Sequence, residues 1–170
     1  LFAVGAFSVR GLRLKERPFL DSITSSTHFV SPAVFGLLLA GATWTPALVL
    51  VLSAFFAWGA ASHAFGAVQD VVADREGGIG SVATAIGARA ATRFAVALYL
   101  LAAGLLVLAG WPAAPAAVIP VAYAVNIAPW WNVDDGSAPS ANRGWRRFLW
   151  LNFVSGFLVT MLLLAVAAWG

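Results

Sequence analysis

The chain has 170 residues, of which 61% are hydrophobic and 10% are charged, and its mean hydropathy is +0.88. Soluble domains carry about 25% charged residues, so this composition excludes a soluble globule and a disordered chain and predicts an integral membrane protein in a lipid bilayer. The absence of cysteine excludes disulfides, thiolate metal sites and a cysteine nucleophile. Basic residues beside membrane spans explain the net charge of +3, so we expect no nucleic acid partner.

The chain opens on an apolar segment that does not read as a signal peptide. Residues 1–7 have no basic segment before them and no small-residue cleavage site after them. As helix they would span only about 10 Å. We therefore expect residues 1–7 to be the end of a truncated helix and residues 1–170 to be a fragment of a single transmembrane domain whose N-terminal helices are missing.

Five apolar stretches are long enough, or nearly so, to cross a bilayer, which takes about 17–25 residues of helix. The predicted spans are 28–42, 46–68, 92–110, 115–131 and 148–169. The sequence thus predicts an all-α membrane protein.

Charged residues occupy only alternate connections between these spans. The connections 43–45 and 111–114 carry no charge, whereas the segments 8–27, 69–93 and 132–147 hold all ten basic and all seven acidic residues. Lys and Arg accumulate on the cytoplasmic side of membrane proteins. We therefore expect the charged connections to be cytoplasmic and, given the alanine-rich composition, the membrane to be a bacterial plasma membrane.

Polar residues within the spans cluster toward the charged face. His63, Gln69, Asn126 and Asn152 all lie in the predicted cytoplasmic halves. This pattern favours a cavity open to the cytoplasm, whereas a transporter usually places ionisable groups near the midplane. For His63 the alternative is a hydrogen bond to a neighbouring carbonyl group.

Two aspartates follow the second predicted span. If the helix from Pro46 continues past the membrane, Asp70 and Asp74 project from one face, and Gly66 continues that face as a cavity wall or a site of close helix packing. Two such carboxylates can share Mg²⁺, which readily bridges to substrate phosphates. The alternative is a solvated helix end. Gly77, Gly78 and Gly80 are expected to end this helix, and Ser81 to cap a short helix that ends near Gly87.

The segment before the first predicted span is basic and includes Arg13, Lys15 and Arg17. Alone, it would be a topology determinant that meets anionic lipid. On the same membrane face as the aspartates, it could also neutralise a diphosphate leaving group. The neighbouring Asp134 and Asp135 are expected to form a solvated turn.

These motifs resemble those of the UbiA superfamily of intramembrane prenyltransferases. The stretch from Asp70 through Asp74 to Gly87 is similar to the second aspartate-rich motif of the superfamily, and residues 13–18 are similar to its basic loop. The resemblance implies the C-terminal five to six helices of a nine-helix bundle. It also implies that Asp70 and Asp74 bind Mg²⁺ on a prenyl diphosphate, and that Lys15 and Arg17, with Arg13 and Arg75, contact the phosphates. The first aspartate-rich motif of the superfamily has no counterpart in this chain.

Residues 13–22 are most similar to the lycopene elongase branch of the superfamily, which extends carotenoids by five-carbon units. This implies transfer from an allylic prenyl diphosphate to an apolar isoprenoid acceptor. An aromatic quinone precursor or a glycerol phosphate is the alternative acceptor. A small transporter or a structural membrane subunit is the non-enzyme alternative.

Overall fold

A computed structural model describes residues 18–169, and every regular element in this range is a helix, as predicted. In chain order the elements are α1 (Leu20–Leu39), α2 (Pro46–Gly66), α3 (Val71–Glu76), α4 (Val82–Ile86), α5 (Ala88–Ala109), a 3₁₀ turn (Ala114–Ala117), α6 (Val118–Ile127), two more 3₁₀ turns (Ala128–Trp130 and Ala138–Ala141) and α7 (Asn142–Trp169). The predicted helix end at residues 1–7 lies outside the described residues.

Four of the described helices are long and apolar enough to cross a membrane, namely Leu20–Leu39, Pro46–Gly66, Ala88–Ala109 and Ala138–Ala168. A shorter apolar helix covers Ala114–Trp130. These helices overlap the five predicted spans.

The first and last of these helices extend further toward the charged face than the predicted spans 28–42 and 148–169. In α1 the polar residues before 28 remain helical because their hydroxyl groups bond to carbonyl oxygens of the same helix. Thr24 Oγ1 donates to Leu20 O at 2.7 Å, and Thr27 Oγ1 donates to Ile23 O at 2.8 Å. A serine- and threonine-rich segment can therefore form helix without leaving its side-chain donors unpaired.

The core lies between α2 and α5, which form the most extensive helix pair. Small side chains line the contact and let the two backbones approach closely; the buried alanines include Ala57, Ala61 and Ala64 of α2 and Ala91, Ala95 and Ala102 of α5. Tyr99 and Tyr123 are the largest fully buried side chains and stack with ring centroids 5.6 Å apart. This pair connects α5 to α6.

The prediction that α2 continues into the aspartate segment is wrong. The α-helix ends at Gly66, and a turn separates it from α3, which begins at Val71. In this turn the backbone bonds tighten to i→i+3, as in Val68 N–H to Phe65 O at 3.0 Å and Asp70 N–H to Ala67 O at 3.3 Å. The tighter winding keeps Val68 and Val71 in the core while Asp70 stays exposed.

Two glycines let α7 pack against the end of α2. A Cβ added to Gly66 would lie 3.1 Å from the Trp145 indole, so Gly66 serves close packing rather than a cavity wall. A Cβ added to Gly144 would lie 2.8 Å from the Trp130 ring and 3.0 Å from the Phe65 ring.

We expect Gly144→Ala to destabilise the protein, because the new methyl group cannot fit between two rings of the core. Such overpacking typically costs about 1–3 kcal/mol. Gly156→Ala is the matched control on the same helix, since nothing lies within 4 Å of its added Cβ and alanine favours helix. Thermal unfolding in detergent should show a lower Tm for the first variant only. Equal Tm values for both variants would contradict the packing described for Gly144.

Candidate active site

Asp70 and Asp74 lie one helical turn apart at the end of the bundle where α2 stops. Asp70 is the residue before α3, and its carbonyl oxygen accepts the Asp74 N–H at 2.8 Å. The Asp70 carboxylate does not cap the helix; it accepts a long hydrogen bond of 3.4 Å from Gln69 Nε2. Both carboxylates therefore remain available to a ligand, although the helix that carries them is not the continuous one predicted.

The electrostatics of the two aspartates suit a divalent cation. Partial burial raises the pKa of the Asp74 carboxyl above its ordinary value, and the negative charge of Asp70 raises it further, against an opposing hydrogen bond from the Ser81 side chain. A cation shared by both carboxylates would relieve this repulsion. Among residues 18–169 no group of three or more His, Cys, Asp and Glu side chains could hold a metal. Two carboxylates at this spacing are compatible with Mg²⁺, which takes one or two protein carboxylates and completes its shell with waters and substrate phosphates.

This arrangement predicts a metal-dependent effect of Asp74→Asn on stability. The folded-state pKa of Asp74 is raised, so its ionised form is disfavoured and stability is lost as the pH rises through that value. In a chelator at pH 7 we expect Asp74→Asn to raise Tm. With Mg²⁺ in excess the wild type should gain Tm and the variant should gain little. A Tm for Asp74→Asn below that of the wild type in chelator would contradict the proposed repulsion.

The loop after α3 has the local structure that the sequence predicted. Gly77 follows the helix, Gly78 adopts φ +68°, and the Ile79 N–H closes the turn on Asp74 O at 2.8 Å. Ser81 caps α4, with Thr84 returning the bond in a capping box. The loop is therefore fixed at both ends, close to Asp74.

Asp135 lies in a partly exposed turn, as predicted, but it also joins this loop to the rest of the bundle. One of its oxygens accepts the Ala88 N–H at 2.7 Å and the other accepts from the Arg75 guanidinium. Gly87 precedes α5 and has no side chain to cap it, so Asp135 supplies the missing acceptor. We call Arg75, Asp135 and the Ala88 N–H the loop clamp. Asp134 does form a local turn, with Ser137.

Of the four residues predicted to bind the diphosphate, Arg75 belongs to the loop clamp, and the other three are outside the described residues. Arg75 bonds to Asp135 and, at 3.4 Å, to Thr84 O, with 43% of its side chain exposed. Arg13, Lys15 and Arg17 lie outside the described residues. Contact between these four residues and phosphate stays a prediction.

The four residues predicted to line a cavity form hydrogen bonds between elements. Gln69 Oε1 accepts from Asn142 at 2.7 Å, Asn126 donates to Gly144 O at 3.0 Å, Asn152 accepts from Tyr123 at 2.6 Å, and His63 contacts Asp21 and Ser22. Two open grooves lie elsewhere, between α1 and α2. The larger has a volume of about 460 Å³ and an almost entirely apolar lining that includes Val30, Val34 and Phe35.

Asp21 is a site residue that the predicted site did not include. It is only 8% exposed in the first turn of α1, and its carboxylate lies 3.5 Å from His63 Nε2. Because the first span was predicted to begin at residue 28, Asp21 was assigned to a loop. The sequence signal for this position is an acidic residue next to a serine- and threonine-rich segment, which can begin a helix.

A family model connects this site to known proteins. The model of the UbiA prenyltransferase family matches residues 1–154. The chain belongs to the UbiA prenyltransferase family. The described UbiA helices, with Asp70 and Asp74 at one end, agree with the fold class that the resemblance implied. No solved structure matches the chain.

Curated UbiA relatives match nearly the whole chain. It is 49% identical over 166 residues to a lycopene elongase/hydratase of Corynebacterium glutamicum, and the match covers 98% of this chain and 58% of that protein. It is 52% identical over 170 residues to the C(50) beta-cyclic carotenoids biosynthesis protein LbtBC of Dietzia sp., covering 99% and 39%. A lycopene elongase/hydratase of Halobacterium salinarum is 33% identical over 135 residues, covering 74% and 48%. The chain thus spans less than two thirds of these relatives.

Proposed function

We propose that the complete protein transfers a prenyl group from an allylic diphosphate to an apolar isoprenoid acceptor and so elongates a carotenoid such as lycopene. The observation that carries this proposal is the pair Asp70 and Asp74, whose carboxylates lie one helical turn apart at the end of a membrane helix bundle and form no ion pair in the described part of the chain. The family and the names of the relatives support it.

In this reaction the charged residues of the chain would bind the diphosphate, and the loop clamp would hold the aspartates in place. Mg²⁺ bound by the two aspartates would neutralise the diphosphate as its bond to the prenyl carbon breaks. The loop clamp ties α3, which carries Asp74 and follows Asp70, to the start of α5. Lys15, Arg17 and Arg13 would add positive charge on the same side, as the resemblance implies.

Two observations support an apolar acceptor, namely the apolar groove between α1 and α2 and the names of the relatives. The groove between α1 and α2 is lined mainly by Val30, Val34, Phe35, Leu38 and Phe56. Apolar side chains of this kind match a hydrocarbon acceptor, which makes no hydrogen bonds. The names of the relatives specify lycopene and C50 carotenoids.

The test is a transfer assay with the complete protein in membranes. Radiolabelled dimethylallyl diphosphate and Mg²⁺ are supplied with lycopene, with 4-hydroxybenzoate or with glycerol phosphate. We expect label in a product larger than lycopene and none in the other two acceptors. Label in either polar acceptor, with none in the carotenoid fraction, would contradict the proposed substrate.

We also propose that the charged end of the bundle faces the cytoplasm. The second and third charged segments meet at one end, since Arg75 binds Asp135 and Arg93 donates to Asn132 at 3.0 Å. Trp111, in an uncharged connection, is 78% exposed. Because Lys and Arg accumulate in the cytoplasmic loops of membrane proteins, the end that carries them is expected to face the cytoplasm.

Single cysteines provide the measurement, because the 170 residues contain no cysteine of their own. In intact cells we expect an impermeant thiol reagent to label Trp111→Cys and to spare Glu76→Cys and Arg146→Cys. Permeabilised cells should label all three variants. The reverse pattern in intact cells would contradict the orientation.

A further inference from the structure

An ionisable pair joins α1 to α2 below the two aspartates. His63 Nε2 lies 3.5 Å from Asp21 Oδ2, and His63 Nδ1 lies 3.3 Å from Ser22 Oγ. Asp21 and Ser22 are 8% and 3% exposed, whereas the His63 side chain keeps 30% of its surface open. The imidazole therefore contacts α1 at both nitrogens, and part of its edge is accessible.

The pair lies next to the proposed diphosphate site, on its membrane side. Asp21 lies in the first turn of α1 and contacts His63, which precedes Asp70 by seven residues along the chain. Asp74 belongs to α3, beyond the end of α2, whereas His63 belongs to the last turn of α2 itself. A prenyl chain that enters the membrane from a diphosphate at Asp70 and Asp74 would start beside His63.

The proposed reaction must release a proton in this region. When the carbon–oxygen bond of the allylic diphosphate breaks, its electron pair leaves with the diphosphate. The π electrons of an acceptor double bond then form the new carbon–carbon bond and leave a positive charge on the acceptor. That charge is discharged either by loss of a neighbouring C–H proton, which gives an alkene, or by addition of water with loss of a proton, which gives an alcohol.

We propose that His63 accepts this proton at Nδ1 and that Asp21 is the residue that positions the imidazole. This inference rests on the proposed function. The Asp21 carboxylate faces His63 Nε2 at 3.5 Å and so favours the tautomer that carries its proton on Nε2, which leaves a lone pair at Nδ1. The 3.3 Å contact with Ser22 is long for a hydrogen bond to a hydroxyl group, so water can take its place. Asp21 then stabilises the imidazolium, as a carboxylate does in other carboxylate–imidazole pairs.

The test compares variants of the complete protein in membranes, with radiolabelled dimethylallyl diphosphate, lycopene and Mg²⁺. His63→Asn keeps an amide next to Ser22 but accepts no proton, and His63→Gln keeps a donor toward Asp21. Asp21→Asn removes the charge that positions the ring. Ser62→Ala is the matched control, because Ser62 precedes His63 in the chain. This substitution removes a hydrogen bond between α2 and α5, from Ser62 Oγ to Tyr99 OH at 3.0 Å.

We expect His63→Asn to lower formation of elongated product by at least about 100-fold, the usual contribution of a general base. The ratio of alcohol to alkene in the remaining product should also change, whereas retention of labelled diphosphate in Mg²⁺ should not. Asp21→Asn should have a smaller effect of about 10-fold on the rate. Ser62→Ala should leave the product ratio unchanged.

If His63 only stabilised the packing of α1 against α2, its substitution would lower the rate in proportion to the loss of folded protein and would leave the product ratio unchanged. That result, or wild-type rate and ratio in His63→Asn, would overturn the assignment. If His63→Asn does not accumulate, His63→Gln decides by the same criteria. A wild-type protein that consumes no diphosphate contradicts the proposed function itself, which distinguishes the two failures.

Discussion

Asp70→Asn in the complete protein should lower prenyl transfer by about 10–100-fold or more without loss of folded protein. The substitution removes one of two carboxylates that would bind Mg²⁺, and loss of groups in a metal site commonly costs about 10–100-fold in affinity or activity. Asp70 is exposed and its side chain does not cap α3. No core packing is therefore lost. The measurement is label transferred from a prenyl diphosphate at limiting Mg²⁺.

Glu76→Gln is the matched control for this prediction. Glu76 is an exposed acid on the same short helix, so its removal changes net charge equally without touching the pair. We expect transfer close to that of the wild type. Equal losses in both variants would indicate a general effect of charge, and full activity in Asp70→Asn would exclude Asp70 as a ligand.

Asp135→Ala should lower both stability and transfer, because it opens the loop clamp. The first turn of α5 loses the acceptor of the Ala88 N–H, and Arg75 loses its ion pair. Loss of a helix cap costs about 0.5–2 kcal/mol. For a chain of this size each kcal/mol lowers Tm by about 2–4 °C. Transfer should fall by about 10-fold, since outer residues that position a metal site have effects of this size.

The pH dependence of this effect separates the clamp from simple packing. The Ala88 N–H, and then Arg75, hold the pKa of Asp135 below its ordinary value. A carboxyl group whose pKa is lower in the folded state than in the unfolded state stabilises the protein at pH values above its unfolded-state pKa, which is about 3.9 for Asp. This stabilisation is lost as the pH falls through the folded-state pKa. The Tm difference between wild type and Asp135→Ala should therefore be largest near pH 7 and shrink below about pH 4.

Asp134→Ala is the neighbouring control, because Asp134 bonds only locally with Ser137 in the described hydrogen bonds. We expect little change in transfer. A larger loss in Asp134→Ala than in Asp135→Ala would contradict the role of the clamp.

Local sequence signals predicted local structure well. Ser81 caps a short helix that is followed by Gly87, as its position before a helical segment indicated. Pro46 begins α2, with the Thr45 side chain accepting the Leu48 N–H at 3.1 Å. Such features depend on residues a few positions apart, so the sequence alone is sufficient to predict them.

The features that sequence reasoning missed depend on contacts between distant residues. Asp135 caps a helix that begins at Ala88, and its other partner is Arg75; no local pattern near Asp135 specifies either contact. Asp21 pairs with His63, which lies on another helix. The turn after Gly66 keeps Val68 and Val71 buried, a requirement set by neighbouring helices rather than by a helix-breaking residue.

The most direct test of the central role of Asp70 and Asp74 is binding of a labelled prenyl diphosphate to the complete protein, with and without Mg²⁺. We expect retention by the wild type in Mg²⁺, loss of that retention in chelator, and little retention by Asp70→Asn and Asp74→Asn in either condition. Retention by the wild type that is as strong in chelator as in Mg²⁺, and unchanged in both variants, would contradict it.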